Sequence, residues 1–152
     1  MFEERNLLFF RPFLFKNGAE PQDKFFLVLK KLDGDILLAS LPTSKDHIPS
    51  DLDVKYGCLN VPERMFNVFV FLAGENVAVK EDGTPFAFKK NTFIYGVNLD
   101  IYPAEQFDLQ ERMAQTSIEK IGLLEENIFN DLIVCLSESK IVKNKFRRML
   151  KK

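Results

Sequence analysis

The sequence contains no tryptophan, one histidine and only two cysteines among its 152 residues. A structural zinc site needs about four Cys or His ligands at short spacings, so this composition excludes one. Cys58 falls in a predicted strand, and Cys135 falls on the apolar side of a predicted helix. We therefore expect two isolated thiols that act as small core residues, and not a disulfide or a metal pair.

Long apolar runs are also absent. Asp, Glu or Lys interrupts every apolar stretch before the about 18 residues that a membrane-spanning helix requires. The first ten residues, MFEERNLLFF, carry acidic side chains where a signal peptide carries basic ones, and no small-residue cleavage site follows them. These features predict a cytoplasmic protein that does not act in a membrane.

Glycine is scarce, with 7 residues in the whole chain, and it forms neither a phosphate-binding loop nor a nucleophile elbow. The commonest nucleotide-dependent and hydrolytic enzymes are thereby excluded. The chemistry that remains is acid–base catalysis by side chains, and we expect neither a metal nor an organic cofactor.

The overall composition is typical of a globular protein, except that phenylalanine is unusually frequent among its aromatic residues. Apolar residues make up 46% of the sequence, and its 16 Phe outnumber its 3 Tyr. The length predicts one domain over residues 1–152, large enough to bury a core without a covalent staple.

Charge is distributed unevenly along the chain. Residues 139–152 include seven basic side chains and no acidic one, whereas the preceding 138 residues carry 14 basic and 22 acidic side chains. A basic tail on an acidic body is suited to contact phosphate, a membrane surface or an acidic partner. The simpler alternative is a solvated helix face.

The clearest local signal is a β-hairpin between residues 24 and 47. Two apolar runs, residues 25–29 and 36–41, flank Asp33-Gly34, a typical hairpin turn. Pro42 ends the second run. The five residues that follow carry hydroxyls, charges and the only imidazole: Thr43, Ser44, Lys45, Asp46 and His47. This segment is the first place to look for a reactive or anion-binding site, and the alternative is a polar loop without a function.

Further short strands are predicted at close spacing. Residues 6–15 are apolar but interrupted by Arg11-Pro12, which indicates an edge strand or two strands that meet at a bend. The remaining predicted strands are residues 56–61, 65–72, 77–79, 86–89, 92–99 and 117–123. This pattern favours a mostly-β α+β protein with a small, curved antiparallel sheet or barrel over residues 6–123.

The last part of the chain changes to helical periodicity. Residues 125–136 predict an amphipathic helix, and a second helix is expected after Ser139, which is a plausible N-cap. Residues 104–113 are assigned to a short helix or a loop. The C-terminal helical segment therefore covers residues 124–152 and is expected to pack on the sheet.

The polar segment contains every group type needed for RNA cleavage without a metal. In that reaction the ribose 2′-OH attacks the neighbouring phosphorus after it loses its proton. The protein supplies a cation for the developing charge, a hydroxyl or imidazole at the phosphate, and a proton donor for the leaving oxygen. Lys24, Thr43, Ser44, Lys45 and His47 include all of these types.

Four segments, taken together, resemble the PemK/MazF-like toxins, which are small endoribonucleases of toxin–antitoxin systems. The segments are KFFLVL (24–29), ILLASLPTS (36–44), TFIYGVNLDIY (92–102) and IGLLEENIFNDLIVCL (121–136). In that family an Arg-Pro step opens a strand, a second strand ends in a Thr-Ser step, and a strand ending in Gln precedes a C-terminal helical segment.

The resemblance implies a fold and an activity. The fold is a small SH3-like, PemK-like β-barrel with C-terminal helices. The activity is metal-independent cleavage of single-stranded RNA, with a cognate antitoxin protein as inhibitor and a homodimer as the assembly. A non-catalytic SH3-like module that binds a protein or nucleic acid is the alternative, and the acidic composition favours it. A third possibility is a structural subunit whose residues 139–152 dock on an acidic partner.

The resemblance also implies roles for individual residues. Lys24-Phe25 stands in place of Arg-Pro, so Lys24 is the expected phosphate-facing cation. Thr43 is the matched catalytic hydroxyl, with Ser44 beside it, and His47 is the expected acid or base. Asn98 or Val97 occupies the place of the Gln. The expected RNA contacts are Lys45 and Arg11, and Arg11-Pro12 is an alternative position for the Arg-Pro step.

Overall fold

A computed structural model describes residues 1–44, 48 and 50–151 of the chain. Within these residues the backbone forms ten strands and three helices. The strands are β1 (Asn6–Phe13), β2 (Gln22–Leu32), β3 (Asp35–Ser40), β4 (Gly57–Val61), β5 (Phe66–Phe71), β6 (Asn76–Val79), β7 (Pro85–Ala87), β8 (Thr92–Tyr95), β9 (Leu99–Pro103) and β10 (Ser117–Leu124). The helices are α1 (Ala104–Arg112), α2 (Glu126–Ser137) and α3 (Asn144–Leu150).

The strands form two antiparallel sheets. The larger has seven strands in the order β7-β6-β10-β1-β2-β3-β9, and the smaller has three in the order β4-β5-β8. The expectation of a mostly-β α+β protein with antiparallel sheets and two C-terminal helices is confirmed. No closed barrel forms among the strands of residues 1–44 and 50–151.

The predicted hairpin is confirmed as β2 and β3. Its turn lies at Asp33 and Gly34, and Asp33 adopts a positive φ of 53° that Asp tolerates better than most residues. The pairing register advances by one residue between Val28 and Lys30, which marks a β-bulge. The bulge determines which side chains share a face at the far end of the hairpin.

The prediction for the N-terminal strand is wrong in one respect. β1 is a single strand inside the large sheet, between β10 and β2, and not an edge strand or two strands. Pro12 is tolerated because it lies where the ladder to β2 is interrupted, between the pairs of Phe10 and Phe13. On the other side of the strand, the pairing of β1 with β10 ends at Arg11, one residue before Pro12. The missing N–H therefore removes no regular ladder bond.

The core lies on both faces of the large sheet. On one face, Leu27 and Leu37 pack in a cluster with Leu132 of α2 and Phe146 of α3. On the other face, Phe10, Phe13 and Phe26 pack around Phe107 of α1, with the rings of Phe13 and Phe26 stacked 4.2 Å apart. The abundant phenylalanines thus serve mainly as core residues.

Cys58 and Cys135 form a disulfide, so the expectation of two isolated thiols is wrong. Their Cα atoms are 5.6 Å apart, within the range that a disulfide requires. The bond joins exposed Cys58 on β4 to buried Cys135 on α2. The sequence patterns predicted correctly that Cys58 lies on a strand and Cys135 on a helix. They did not predict that the two cysteines are adjacent, because this requires α2 to pack on the small sheet.

The C-terminal segment is part of the fold. Val142, Phe146 and Met149 are buried in the core beside α2, while the basic side chains between them remain mostly exposed. Ser139 is not the N-cap of α3, because its hydroxyl accepts the Ile141 N–H at 3.1 Å and the helix begins at Asn144. Among the described residues, no helix is long and apolar enough to cross a membrane.

Candidate anion-binding site

Three lysine side chains surround a cavity of about 460 Å³ at one end of the large sheet. Lys16 lies on the β1–β2 connection, Lys24 on β2, and Lys143 immediately before α3. The remaining lining residues are Phe13, Phe15, Asn17, Phe26, Ser40, Val97, Asn98, Leu99, Asp100 and Tyr102. The cavity lies within the about 300–1,000 Å³ typical of small-ligand sites.

Lys24 is the most distinctive of the three lysines. Its side chain is half-buried, and its Nζ lies 5.7 Å from the centre of the Phe15 ring. Burial lowers the pKa of Lys24, because an ammonium group removed from water is less well solvated. Lys24 forms no ion pair with any carboxylate of the described residues. A bound anion would therefore supply the counter-charge that the protein does not.

Lys16 is held in place by its own partners. Its Nζ donates to the Ile101 carbonyl at 2.6 Å, pairs with Asp100 Oδ1 at 3.1 Å and lies 4.2 Å from the centre of the Tyr102 ring. Asp100 neutralises much of the Lys16 charge, so Lys16 helps to shape the cavity more than to attract an anion. Lys143 is exposed and lies 5.8 Å from the Phe146 ring centre.

Two neutral polar side chains complete the cavity wall. Ser40 pairs with Phe26 across the hairpin, which places it on the same face of the sheet as Lys24. Asn98 follows β8, and Asn98 and Val97, which both line the cavity, are the two candidates for the place of the Gln in the resemblance. Tyr102 is buried, and burial together with nearby Asp100 raises its pKa to about 12.

Thr43 and Ser44 line a second cavity of about 390 Å³, and Lys24 lines both this cavity and the first. Both residues are exposed, and the Ser44 carbonyl accepts a hydrogen bond from the Tyr95 hydroxyl at 2.6 Å. This bond fixes the backbone beside Thr43. Thr43, the best-matched position of the resemblance, and Lys24, which replaces the Arg of the Arg-Pro step, thus border one depression.

The side chains of Lys24 and Thr43 nevertheless leave opposite faces of the sheet. Lys24 pairs with Phe10 across β1 and β2, which places it on the Phe10 face, whereas Phe9 and Phe25 form the neighbouring pair on the other face. Thr43 lines its cavities together with Phe9 and Phe25. The ammonium and hydroxyl groups therefore approach the depression from different sides.

The bulge in the hairpin is the cause of this separation. If the register at the Asp33-Gly34 turn continued unchanged, Lys24 would lie directly opposite Thr43 on the same face. The one-residue shift between Val28 and Lys30 places Ser40 on the Lys24 face instead. Ser40 is consequently the hydroxyl that shares a cavity with the Lys24 side chain.

The other predicted site residues are distributed around this region. Arg11 is exposed, pairs with Glu119 at 3.5 Å and lies 4.9 Å from the centre of the Phe9 ring. Its chain position places it on β1, outside the lysine cavity. Lys45 and His47 lie outside the residues that the structure describes, so their roles stay predictions.

Sequence reasoning did not single out Ser40, Lys16 or Lys143. Ser40 carried a weak signal, because it is the one polar residue in the apolar run of residues 36–41. Lys16 and Lys143 carried none, since 127 positions of the sequence separate them and only the packing of the C-terminal segment brings both to one cavity.

Comparison of the chain with known protein families, with curated proteins and with solved structures gives no match.

Proposed function

We propose that this protein is a PemK/MazF-like, metal-independent endoribonuclease that cleaves single-stranded RNA. The observation that carries the proposal is the half-buried Lys24 ammonium, which has no acidic partner among the described residues and borders the depression lined by Thr43 and Ser44. A phosphate there would gain a charge-assisted hydrogen bond from a lysine that no carboxylate of the described residues pairs with.

The proposed reaction begins when a general base, the role that the resemblance gives to His47, takes the proton of the ribose 2′-OH and the 2′-oxygen attacks the adjacent phosphorus. The bond from phosphorus to the 5′-oxygen then breaks, and that oxygen takes up a proton. The products are a 2′,3′-cyclic phosphate and a 5′-hydroxyl. Lys24 holds the phosphoryl oxygen, and its lowered pKa also makes it a better proton donor to the leaving oxygen than an ordinary lysine.

The remaining parts of the proposal come from the resemblance. They are an SH3-like, PemK-like arrangement of the sheets, a cytoplasmic location, a cognate antitoxin as inhibitor and a homodimer as the assembly. The antiparallel sheets and the two C-terminal helices are compatible with this arrangement. The place of the family's Gln adds support, because both candidates for it, Asn98 and Val97, line the same cavity as Lys24.

A second candidate is a non-catalytic module that binds RNA through the lysine cavity. One observation favours it: the side chains of Lys24 and Thr43 leave opposite faces of the sheet. A single phosphate is then less easily held by both groups at once. This candidate keeps the phosphate contact of Lys24 and omits the chemical step.

The test is incubation of the purified chain with a mixed single-stranded RNA in the presence of a chelator. Three variants accompany the wild type: Lys24→Met, Thr43→Ala and, as a matched control, Lys55→Met on the exposed loop before β4. Discrete cuts that disappear in the first two variants and persist in the control support the enzyme.

Two other outcomes separate the candidates. RNA binding that depends on Lys24, with no cleavage by any protein, supports the binding module. Binding and cleavage that are equal in Lys24→Met and the wild type would contradict both.

A further inference from the structure

A third cavity, of about 350 Å³, has walls of aromatic rings. Phe9 and Phe25 lie with ring centres 4.6 Å apart, and Phe86 lies 6.0 Å from Phe25. All three side chains are only partly buried, so each presents ring surface to the cavity. Behind them, Phe88 is buried and packs edge-on against both Phe25 and Phe86, which holds the rings in place.

The rim of this aromatic cavity is cationic. Lys89 and Lys90 line it, both are exposed, and neither forms an ion pair with a carboxylate of the described residues. Thr43 of the predicted site lines the same cavity. Aromatic walls below and unpaired cations above are complementary to a nucleobase and its attached phosphate.

The aromatic cavity is continuous with the depression at Thr43. The two share Phe9, Phe25, Leu41 and Thr43, and the depression in turn shares Lys24 with the lysine cavity. A strand of RNA that places one phosphate at Lys24 can therefore extend a neighbouring nucleotide past Thr43 towards the rings. The three cavities thus supply phosphate and base contacts in succession, from the Lys24 face of the sheet to the Phe25 face.

We infer that the aromatic cavity is a subsite for one unpaired base of single-stranded RNA, which stacks on Phe9, Phe25 and Phe86 while Lys89 and Lys90 contact the adjacent phosphates. The inference rests on the proposed function for the identity of the ligand as RNA. It assigns to Phe86, which lies on the edge strand β7, a role in binding beyond packing.

The test compares two non-cleavable oligonucleotides by fluorescence anisotropy. One is a 2′-O-methyl RNA octamer, and the other is an abasic backbone of equal length and charge. The wild type is expected to bind the base-bearing oligonucleotide about 5- to 150-fold more tightly than the abasic one, the range for stacking of one base on an aromatic residue.

Phe86→Leu keeps an apolar side chain but removes the ring, and Phe86→Tyr is the matched control that keeps it. The inference predicts that Phe86→Leu loses the preference for the base-bearing oligonucleotide, while Phe86→Tyr retains it. The double variant Lys89→Met, Lys90→Met changes only exposed side chains and is expected to weaken binding of both oligonucleotides.

Equal binding of the two oligonucleotides by the wild type would overturn the inference, as would a Phe86→Leu variant with an unchanged preference. Either result is what a cavity occupied by an apolar side chain of a protein partner would give. The test measures binding and not cleavage. A protein that prefers the base-bearing oligonucleotide but cuts no RNA would therefore contradict only the nuclease proposal. A protein that cuts RNA but whose binding preference is unchanged in Phe86→Leu would contradict only the base subsite.

Discussion

The disulfide between Cys58 and Cys135 is expected to supply a large share of the stability of this domain. We consider the substitution Cys58→Ala, because Cys58 is exposed and its replacement leaves the buried Cys135 thiol in the core without a new cavity. The two cysteines are 77 positions apart in the sequence. Loss of a cross-link over that separation lowers the free energy of unfolding by about 4.5 kcal/mol in the chain-entropy description.

Thermal unfolding measures this change directly. For a chain of this size, 1 kcal/mol corresponds to about 2–4 °C in the melting temperature, so Cys58→Ala is expected to melt about 9–18 °C below the wild type. Circular dichroism under non-reducing conditions provides the measurement. Reductant is expected to lower the melting temperature of the wild type towards that of the variant and to leave the variant unchanged.

Two results would refute this reasoning. One is a wild-type melting temperature that does not respond to reductant. The other is intact-mass analysis after alkylation under non-reducing conditions that finds two modified thiols per chain. Disulfides are rare in cytosolic proteins, so alkylation of the protein inside cells also tests the proposed cytoplasmic location.

Two further predictions concern stability. Burial beside Asp100 raises the pKa of Tyr102 to about 12, so the folded state holds this proton after the unfolded state has lost it at about pH 10. Stability therefore falls as the pH rises from about 10 to 12, and absorbance titration near 295 nm should show a phenol ionising at about pH 12 that Tyr102→Phe removes. At Gly122, an added Cβ would lie 2.7 Å from the Val79 carbonyl oxygen, which belongs to the backbone and cannot rotate away. Gly122→Ala is expected to lower the free energy of unfolding by about 1–3 kcal/mol in urea titration, and a variant as stable as the wild type would contradict the β6–β10 pairing.

The local elements of this fold follow from the sequence to a large degree. The hairpin around Asp33-Gly34, the fully buried strand β5 and the amphipathic helix α2 were all predicted, because turn chemistry and apolar periodicity are local properties. The prediction for β1 was wrong because a proline next to a ladder interruption cannot be distinguished, from sequence, from a proline at a sheet edge.

The candidate site was less predictable because it depends on register and long-range packing. A single bulge in the hairpin decides whether Thr43 or Ser40 lies on the same face as Lys24. No residue in β2 near Val28 and Lys30 is of a type that predicts a bulge from sequence. The contribution of Lys143 requires the C-terminal segment to pack beside α2, and the disulfide requires the same helix to meet β4. These are contacts between residues far apart in the sequence.

The central claim is that Lys24 contacts a phosphate of single-stranded RNA. Its most direct test is the affinity of a non-cleavable single-stranded oligonucleotide, measured as a function of salt concentration for the wild type, Lys24→Met and the control Lys55→Met. We predict that Lys24→Met binds about 10- to 100-fold more weakly and that the slope of log K against log salt becomes less negative by about 0.7, the value for one phosphate contact on a single strand. An unchanged affinity and an unchanged slope in Lys24→Met would contradict the account.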